Sequence, residues 1–205
     1  MRADFDFGAV RANMAYHWQH RFMLEQISQK DSDKEAIAQT VISQPEWLPE
    51  IFKGLSADKA NIKYGCDKVL RLVSEYEPSL LYPEIDFFIG NLTHENKFFK
   101  WSAIHILANL ASVDSKGKID ACLSRYSEPI PGPVLITAAN VIKGMAKIAR
   151  AKPHLSGKLA KELLKVETAT YQTRECRNIA LGQVISAFGE FFDLLPDPDK
   201  SPSSS

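Results

Sequence analysis

The sequence repeats one helical pattern four times, and this repetition constrains the fold more than any other feature. The segment "LSADKANIKYGCDKVLRLV" begins at Leu55 and aligns with "LTHENKFFKWSAIHILANL", which begins at Leu92. The segments "VLITAANVIKGMAKI" and "NIALGQVISAFGEFF" continue the series. Small residues recur where two helices must approach closely, and large aliphatic residues recur one turn later. Such units bury their apolar faces by stacking on one another.

The alignment also predicts which positions of each copy face the core. Tyr64 aligns with Trp101, and Val69 aligns with Ile106. The core positions of the third and fourth copies are Ile136, Thr137, Ala138, Val141, Ile142 and Met145, and Ile179, Ala180, Leu181, Val184, Ile185 and Phe188. Shorter helices are predicted over 80–91, 116–126 and 155–166. Because no segment alternates like a strand, we predict an all-α chain, an α-solenoid of about four to five antiparallel helix pairs in a right-handed superhelix.

The segment "EPSLLYPEIDFFIGNL" tests this interpretation, because two prolines interrupt an apolar run. Pro83 would break the middle of a strand or a long helix. In the first turn of a short helix, or in a 3₁₀ turn that leads into it, its missing N–H costs little. Ile85, Phe88 and Ile89 then share one face, so the segment is predicted to be the short helix of a pair.

The segments "PSLLYPEIDFFIGNL", "FKWSAIHILANLASVDSKGKI" and "CRNIALGQVISAFG" resemble the helices of HEAT repeats. The likeness includes the small core residues and an aspartate in the turn within a repeat, here Asp114. It covers roughly residues 33–195. The resemblance implies HEAT-like helix pairs, a fold that several unrelated functions use.

The predicted organisation has three parts. An N-terminal helix over 1–31 packs on the first repeat, the repeat domain covers 32–195, and a disordered tail rich in Ser, Pro and Asp covers 196–205. The last long helix supplies several large apolar residues: Phe188, Phe191, Phe192, Leu194 and Leu195. We expect them to fold wholly onto the preceding pair in a monomer, with a dimer through this helix as the alternative.

Composition sets limits on the function. The 205 residues carry no net charge at pH 7, with a pI near 7.0, which argues against strong global attraction to nucleic acid or anionic lipid. No run of apolar residues is long enough to span a membrane, and the first residues do not resemble a secretory signal. Cys66, Cys122 and Cys176 are distant from one another. We therefore predict reduced thiols in a cytoplasmic protein.

No motif for catalysis, nucleotide binding or metal binding is recognisable in the sequence. His17 and His20 lie three residues apart and could share a metal ion, but no third ligand is evident. We therefore predict no enzyme activity, no cofactor and no metal site.

Two sets of residues are candidates for binding a partner. The first is a ladder of polar residues at equivalent positions of the four long helices: Lys68, His105, Asn140 and Gln183. The second is the start of the last long helix, with Arg174, Arg177 and Asn178. Equivalent positions stack in a solenoid, so the ladder could contact an extended partner. A solvated face, and a polar brace between repeats, are the structural alternatives.

A third candidate is a basic patch between residues 143 and 165. It consists of Lys143, Lys147, Arg150, Lys152, Lys158, Lys161 and Lys165, with only Glu162 of opposite charge. Such a patch could contact phosphates, although it contains no aromatic residue for stacking on bases. A solvated lysine face is the alternative.

The absence of catalytic motifs favours a protein-interaction scaffold or adaptor that binds a protein or peptide on a curved repeat surface. The alternative is a nucleic-acid-binding HEAT-like protein related to the bacterial DNA alkylation repair glycosylases. Those enzymes use a basic concave groove with tryptophans and a carboxylate, which this sequence does not show in a recognisable arrangement. An accessory protein of the bilin-lyase kind is a third interpretation, without a specific residue in its favour.

Overall fold

A computed structural model describes residues 23–196, and these residues form helices and connecting turns without a strand. They divide into two compact units between Tyr76 and Glu77. After a helical stretch at 23–28, the first unit contains α1 (Lys34–Ser43), α2 (Leu48–Gly54) and α3 (Ala60–Tyr76). The second contains α4 (Ile85–Asn91), α5 (Lys97–Leu110), α6 (Lys118–Ser127), α7 (Leu135–Ala151), α8 (Ser156–Leu164) and α9 (Arg174–Phe191). The all-α prediction is confirmed.

In the first unit, α3 packs against α1 and α2 through the apolar face expected from its spacing. Cys66, Val69 and Val73 are fully buried on this face. Gly54 of α2 lies against Cys66, since a Cβ atom at Gly54 would be 2.3 Å from the Cys66 sulfur. Burial, with the nearby Glu50 carboxylate, raises the pKa of the Cys66 thiol to about 12. The thiol is therefore a core group and an inert one.

The second unit has a layer of long helices and a set of short helices. In the long layer, α5 packs on α7 and α7 packs on α9. The indole N–H of Trp101 donates to Thr137 Oγ1 at 2.9 Å, and the Lys147 ammonium donates to Asn109 Oδ1 at 2.5 Å. These contacts lie near opposite ends of the pair, so α5 and α7 run in the same direction.

The short helices are tied to one another by polar side chains. Lys118 of α6 pairs with Asp86 of α4, and Ser127 of α6 contacts Glu162 of α8. Tyr126 of α6 is fully buried and donates from its hydroxyl to the Ile104 carbonyl of α5 at 2.9 Å, which joins the short helices to the long layer.

The prolines act as the sequence indicates. Pro83 lies in a 3₁₀ turn, Tyr82–Glu84, that leads directly into α4, so this prediction is confirmed. Another 3₁₀ turn, Pro78–Leu80, precedes it. The short helix therefore begins at Ile85, five residues later than the sequence predicts, because 3₁₀ turns occupy the proline-containing segment.

Asp114 joins three elements of the second unit. Its carboxylate accepts hydrogen bonds from the Tyr82 hydroxyl at 2.8 Å and from the backbone N–H groups of Lys118 and Ile119, both at 3.0 Å. It also pairs with the Lys152 ammonium, which follows α7, at 3.0 Å. Burial opposes ionisation of Asp114, but these hydrogen bonds hold the pKa of the carboxyl below its ordinary value of 3.8.

The predictions for the two ends of the chain can be compared with the structure only in part. Met23 and Ile27 of the stretch at 23–28 are buried, whereas His17 and His20 and the tail at 197–205 lie outside the described residues. At the end of α9, Phe191 is buried, but Phe192 is 70% exposed. The expectation that the terminal apolar residues fold wholly onto the preceding pair is therefore wrong.

Candidate partner-binding face

The long helices of the second unit expose side chains of three chemical kinds along one side. We call this side the open face. It comprises Phe98, Trp101, His105 and Asn109 on α5, Ile136, Asn140, Lys143, Lys147 and Arg150 on α7, and Ile179 and Gln183 on α9. Within each helix these residues are spaced by three, four or seven positions, so they share one helical stripe.

Three residues of the predicted ladder lie in the middle of the open face. His105, Asn140 and Gln183 are half-buried on α5, α7 and α9, whose neighbours pack directly on one another. Lys68, the fourth ladder residue, is exposed on α3, which belongs to the first unit. The Oε1 atom of Gln183 is enclosed and accepts no hydrogen bond from any residue between 23 and 196.

An apolar band precedes the ladder by one helical turn. Trp101, Ile136 and Ile179 each lie four residues before a ladder residue. Ile136 is 58% exposed and Ile179 is 52% exposed. The Phe98 ring, itself exposed, packs edge-to-face on Trp101 with ring centroids 5.7 Å apart. The core roles that the alignment assigns to Ile136 and Ile179 are wrong, because no helix within residues 23–196 covers their side of α7 and α9.

A groove of about 290 Å³ lies beside this band, at the start of α5 and α7. Val134 and Thr137 line it from α7 and the turn before it, and Lys100 lines it from α5. Thr137 also accepts the indole hydrogen bond of Trp101, so the groove adjoins the aromatic pair. The groove is large enough to receive an apolar side chain of a bound segment.

The basic patch is divided among three environments. Lys143, Lys147 and Arg150 are exposed along α7 on the open face. The residues Lys158, Lys161 and Lys165 are exposed on α8 and just after it, where Lys165 pairs with Glu162 at 2.8 Å. Lys152 is buried instead.

The Lys152 ammonium is held by Asp114 and Asp120, and Asp120 also contacts His154 Nε2 at 2.6 Å. Burial opposes the charged form of Lys152, yet its hydrogen bonds to Asp120 and Asp114 keep the pKa of the ammonium above its ordinary value of 10.5. Lys152 is therefore a structural cation that braces the turns, and it does not contribute to a basic surface.

The arginine-rich start of α9 is exposed. Thr173 caps the helix by accepting a hydrogen bond from the Cys176 N–H at 3.2 Å, and Arg174, Arg177 and Asn178 follow in the first turns. Glu175 lies at the positive end of the helix dipole, where hydrogen bonds with the backbone and Thr173 lower the pKa of its carboxyl. These side chains are available to a partner.

The structure also shows which sites the described residues lack. Within residues 23–196, no group of three or more His, Cys, Asp and Glu side chains could hold a metal ion. None of the helices in that range is long and apolar enough to cross a lipid bilayer.

The sequence predicts the ladder residues as a binding site but does not predict the apolar band beside them. A signal for the band was present, because an apolar residue recurs four positions before each ladder residue. The helical period shows that an apolar residue at this position borders the buried stripe of its helix. It does not show whether a neighbouring helix extends far enough to cover that residue.

Comparisons with known proteins place the chain by fold alone. No family model and no curated protein matches it. The crystal structure of an engineered protein from the Northeast Structural Genomics Consortium matches with a TM-score of 0.53 and 14% sequence identity. The match covers 85% of this chain and 76% of that one, so the likeness is one of backbone arrangement.

Proposed function

We propose that this protein is a non-catalytic protein-interaction module that binds a peptide segment on the open face. The proposal includes the architecture that the sequence predicts: four to five HEAT-like helix pairs stacked in a right-handed superhelix. Stacked helices offer a long rigid surface, which suits binding of an extended or helical segment.

One observation carries the proposal. An exposed or half-exposed apolar side chain stands one turn before a polar one on three consecutive helices of the long layer: Trp101 and His105, Ile136 and Asn140, and Ile179 and Gln183. Scattered surface apolar residues are ordinary, but a band of them repeated across adjacent helices is typical of an interaction surface. The apolar band supplies contact area, and the polar ladder supplies hydrogen bonds to a peptide backbone.

One acceptor of the ladder has no hydrogen-bond donor within the described part of the chain. Gln183 Oε1 is enclosed without a donor among the described residues. A buried polar atom without a partner costs about 1–3 kcal/mol. Rotation of this amide toward a bound backbone would satisfy the oxygen, so peptide binding would relieve a cost already present in the free protein.

The charge of the open face selects the kind of segment. The helices α5 and α7 contain Lys97, Lys100, Lys143, Lys147 and Arg150 and no acidic residue. A segment with acidic side chains near its apolar anchors is therefore the preferred occupant, since complementary charge speeds association and excludes basic competitors. The same cations could contact a phosphate backbone, with Phe98 and Trp101 stacking on bases, so nucleic acid remains the alternative.

Selection from a displayed library of short random peptides tests the proposal directly. We expect enrichment of peptides that combine large apolar residues with Asp or Glu. We expect Ile136→Ser and the pair Lys143→Glu with Lys147→Glu each to weaken binding of a selected peptide at least tenfold, about 1.4 kcal/mol. Fluorescence anisotropy would measure the affinities.

A matched control reverses the charge of Lys158 and Lys161 on α8, which lie outside the open face. This change alters the net charge by the same amount as the Lys143 and Lys147 reversals and should leave the affinity within about twofold, since exposed charges outside an interface contribute little. Equal losses from both charge reversals would contradict a site on the open face. Tighter binding of a single-stranded oligonucleotide than of any selected peptide would favour the nucleic-acid alternative.

A further inference from the structure

The last long helix leaves a second surface uncovered, distinct from the open face. Ile185 is 72% exposed and Phe192 is 70% exposed. Leu181 and Phe188 are half-buried in the same stripe, and Gly182 and Gly189 beside them are exposed, with open space where a Cβ atom would stand. We call this stripe the free edge of α9. Ile185 lies two residues from Gln183, so the free edge and the open face are on opposite sides of the helix.

The equivalent positions of α7 show what the free edge lacks. In the repeat alignment Leu181, Ile185 and Phe188 correspond to Ala138, Ile142 and Met145. These three α7 residues are at most 1% exposed, in a helix that packs against α5 and against α9. The helix α9 has the apolar side chains for a further helix of the layer, and the described structure leaves them in solvent.

The described residues that follow α9 do not fill this place. After α9 the chain forms a 3₁₀ turn, Phe192–Leu194, and the Leu194 carbonyl accepts a hydrogen bond from the Ser156 hydroxyl of α8 at 2.6 Å. Pro196 lies against Gly157, also of α8. Residues 197–205 read "DPDKSPSSS" and contain no aliphatic or aromatic side chain that could cover Ile185 and Phe192.

We propose that the free edge binds a second copy of this chain, with the two α9 helices antiparallel about a two-fold axis near Ile185. The charges of α9 favour this occupant. Arg174 and Arg177 lie in its first turns, whereas the last turn has no basic residue and is followed by Asp193 in the 3₁₀ turn Phe192–Leu194. Antiparallel pairing places the start of one α9 beside the end of the other, which brings Arg177 of one copy near Asp193 of the other, twice in each dimer.

The glycines fit the same geometry. About this axis Gly182 of one copy faces Gly189 of the other, on each side of Ile185. Without Cβ atoms at these positions the helices can approach closely, so the two Ile185 side chains can pack on each other at the axis, and Phe192 of each copy can pack farther along the partner's helix. One helix per copy gives a small interface, so we expect dissociation in the micromolar range.

Sedimentation equilibrium over a wide concentration range tests this inference. The wild-type mass should rise from 22.9 kDa toward twice that value as the concentration increases. Ile185→Ser and Phe192→Ser should each weaken dimerisation at least tenfold. Both side chains are mostly exposed, so the thermal unfolding temperature should hardly change.

A charge exchange tests the pairing itself. Arg177→Asp should weaken the dimer, and the double change Arg177→Asp with Asp193→Arg should restore it, because the opposed charges are exchanged and the attraction remains. Ile136→Ser, on the open face, should leave dimerisation unchanged although it weakens peptide binding. This control separates failure of the dimer from failure of the proposed function.

Three results would overturn the inference. The first is a monomer at every concentration. The second is a dimer that tolerates Ile185→Ser and Phe192→Ser, which would place the contact elsewhere. The third is a dimer weakened by Arg177→Asp that the second change does not restore, which would exclude the antiparallel α9 pair. In the second case, loss of the dimer on removal of residues 1–22 would assign the contact to the N-terminal segment.

Discussion

At the residue scale, close packing in the second unit depends on small residues opposite large ones. Gly144 of α7 lies under the buried ring of Tyr126, and a Cβ atom there would be 1.9 Å from the Tyr126 hydroxyl oxygen. This hydroxyl is fixed by its hydrogen bond to the Ile104 carbonyl, and the ring is 1% exposed. Glycine is therefore required at this position by a specific contact between α6 and α7.

This contact makes Gly144→Ala a sharp test. The added methyl group must displace a buried tyrosine, so we expect the free energy of unfolding to fall by about 1–3 kcal/mol. Urea denaturation followed by far-UV circular dichroism would measure it. The control is Gly90→Ala in α4, where a Cβ atom meets nothing within 4 Å. That change should be neutral or stabilising by up to about 1 kcal/mol, and equal destabilisation in both variants would contradict the packing argument.

At the element scale, helix ends are held by side chains from other elements. Asp114 satisfies backbone N–H groups at the start of α6 and ties that helix to the Tyr82–Glu84 turn and to Lys152 after α7. The sequence indicated a turn aspartate at this position by its resemblance to HEAT repeats. It did not indicate Lys152 as the buried cation, because the two residues lie 38 positions apart. Lys152 was instead assigned to the basic patch.

Replacement of Asp114 by Asn tests this joint. All four groups that contact the carboxylate are donors, so an amide must turn its own N–H₂ group toward one of them. We expect Asp114→Asn to lower the free energy of unfolding by about 2–4 kcal/mol. Asp86→Asn removes an ion pair whose carboxylate is 72% exposed, and should cost less than about 0.5 kcal/mol. Comparable losses in the two variants would argue against the central role of Asp114.

At the scale of the whole molecule, a neutral total charge conceals ion pairs that couple stability to pH. Burial opposes ionisation of Asp114 and Asp120, but hydrogen bonds from their partners hold the pKa of each carboxyl below its ordinary value. For Lys152 burial opposes the charge, while hydrogen bonds to both carboxylates raise the pKa of the ammonium. The three groups therefore stabilise the fold through charged forms present together near neutral pH.

The direction of each shift predicts the pH profile of stability. The carboxyl contribution is present above the ordinary Asp pKa of 3.8 and is lost as pH falls through the lowered folded values. The Lys152 contribution is complete below 10.5 and is lost as pH rises through its raised folded value. Denaturation at a series of pH values should show a plateau with a loss at each end. In Asp114→Asn the acid loss should be shallower, and an acid loss identical to that of the wild type would contradict this assignment.

The helices and their buried stripes could be predicted from the sequence because helical periodicity is a local property. Val69, Val141 and Val184 are buried as the repeat alignment requires, and Pro83 leads into a short helix. The width of each buried stripe, in contrast, depends on contacts between helices that are distant in the sequence. Only the tertiary structure could therefore expose Ile136 and Ile179, bury Lys152 between two aspartates, and leave Ile185 and Phe192 uncovered by any other described helix. Periodicity locates the side of a helix that faces the core, and packing decides how much of the remainder is left for a partner.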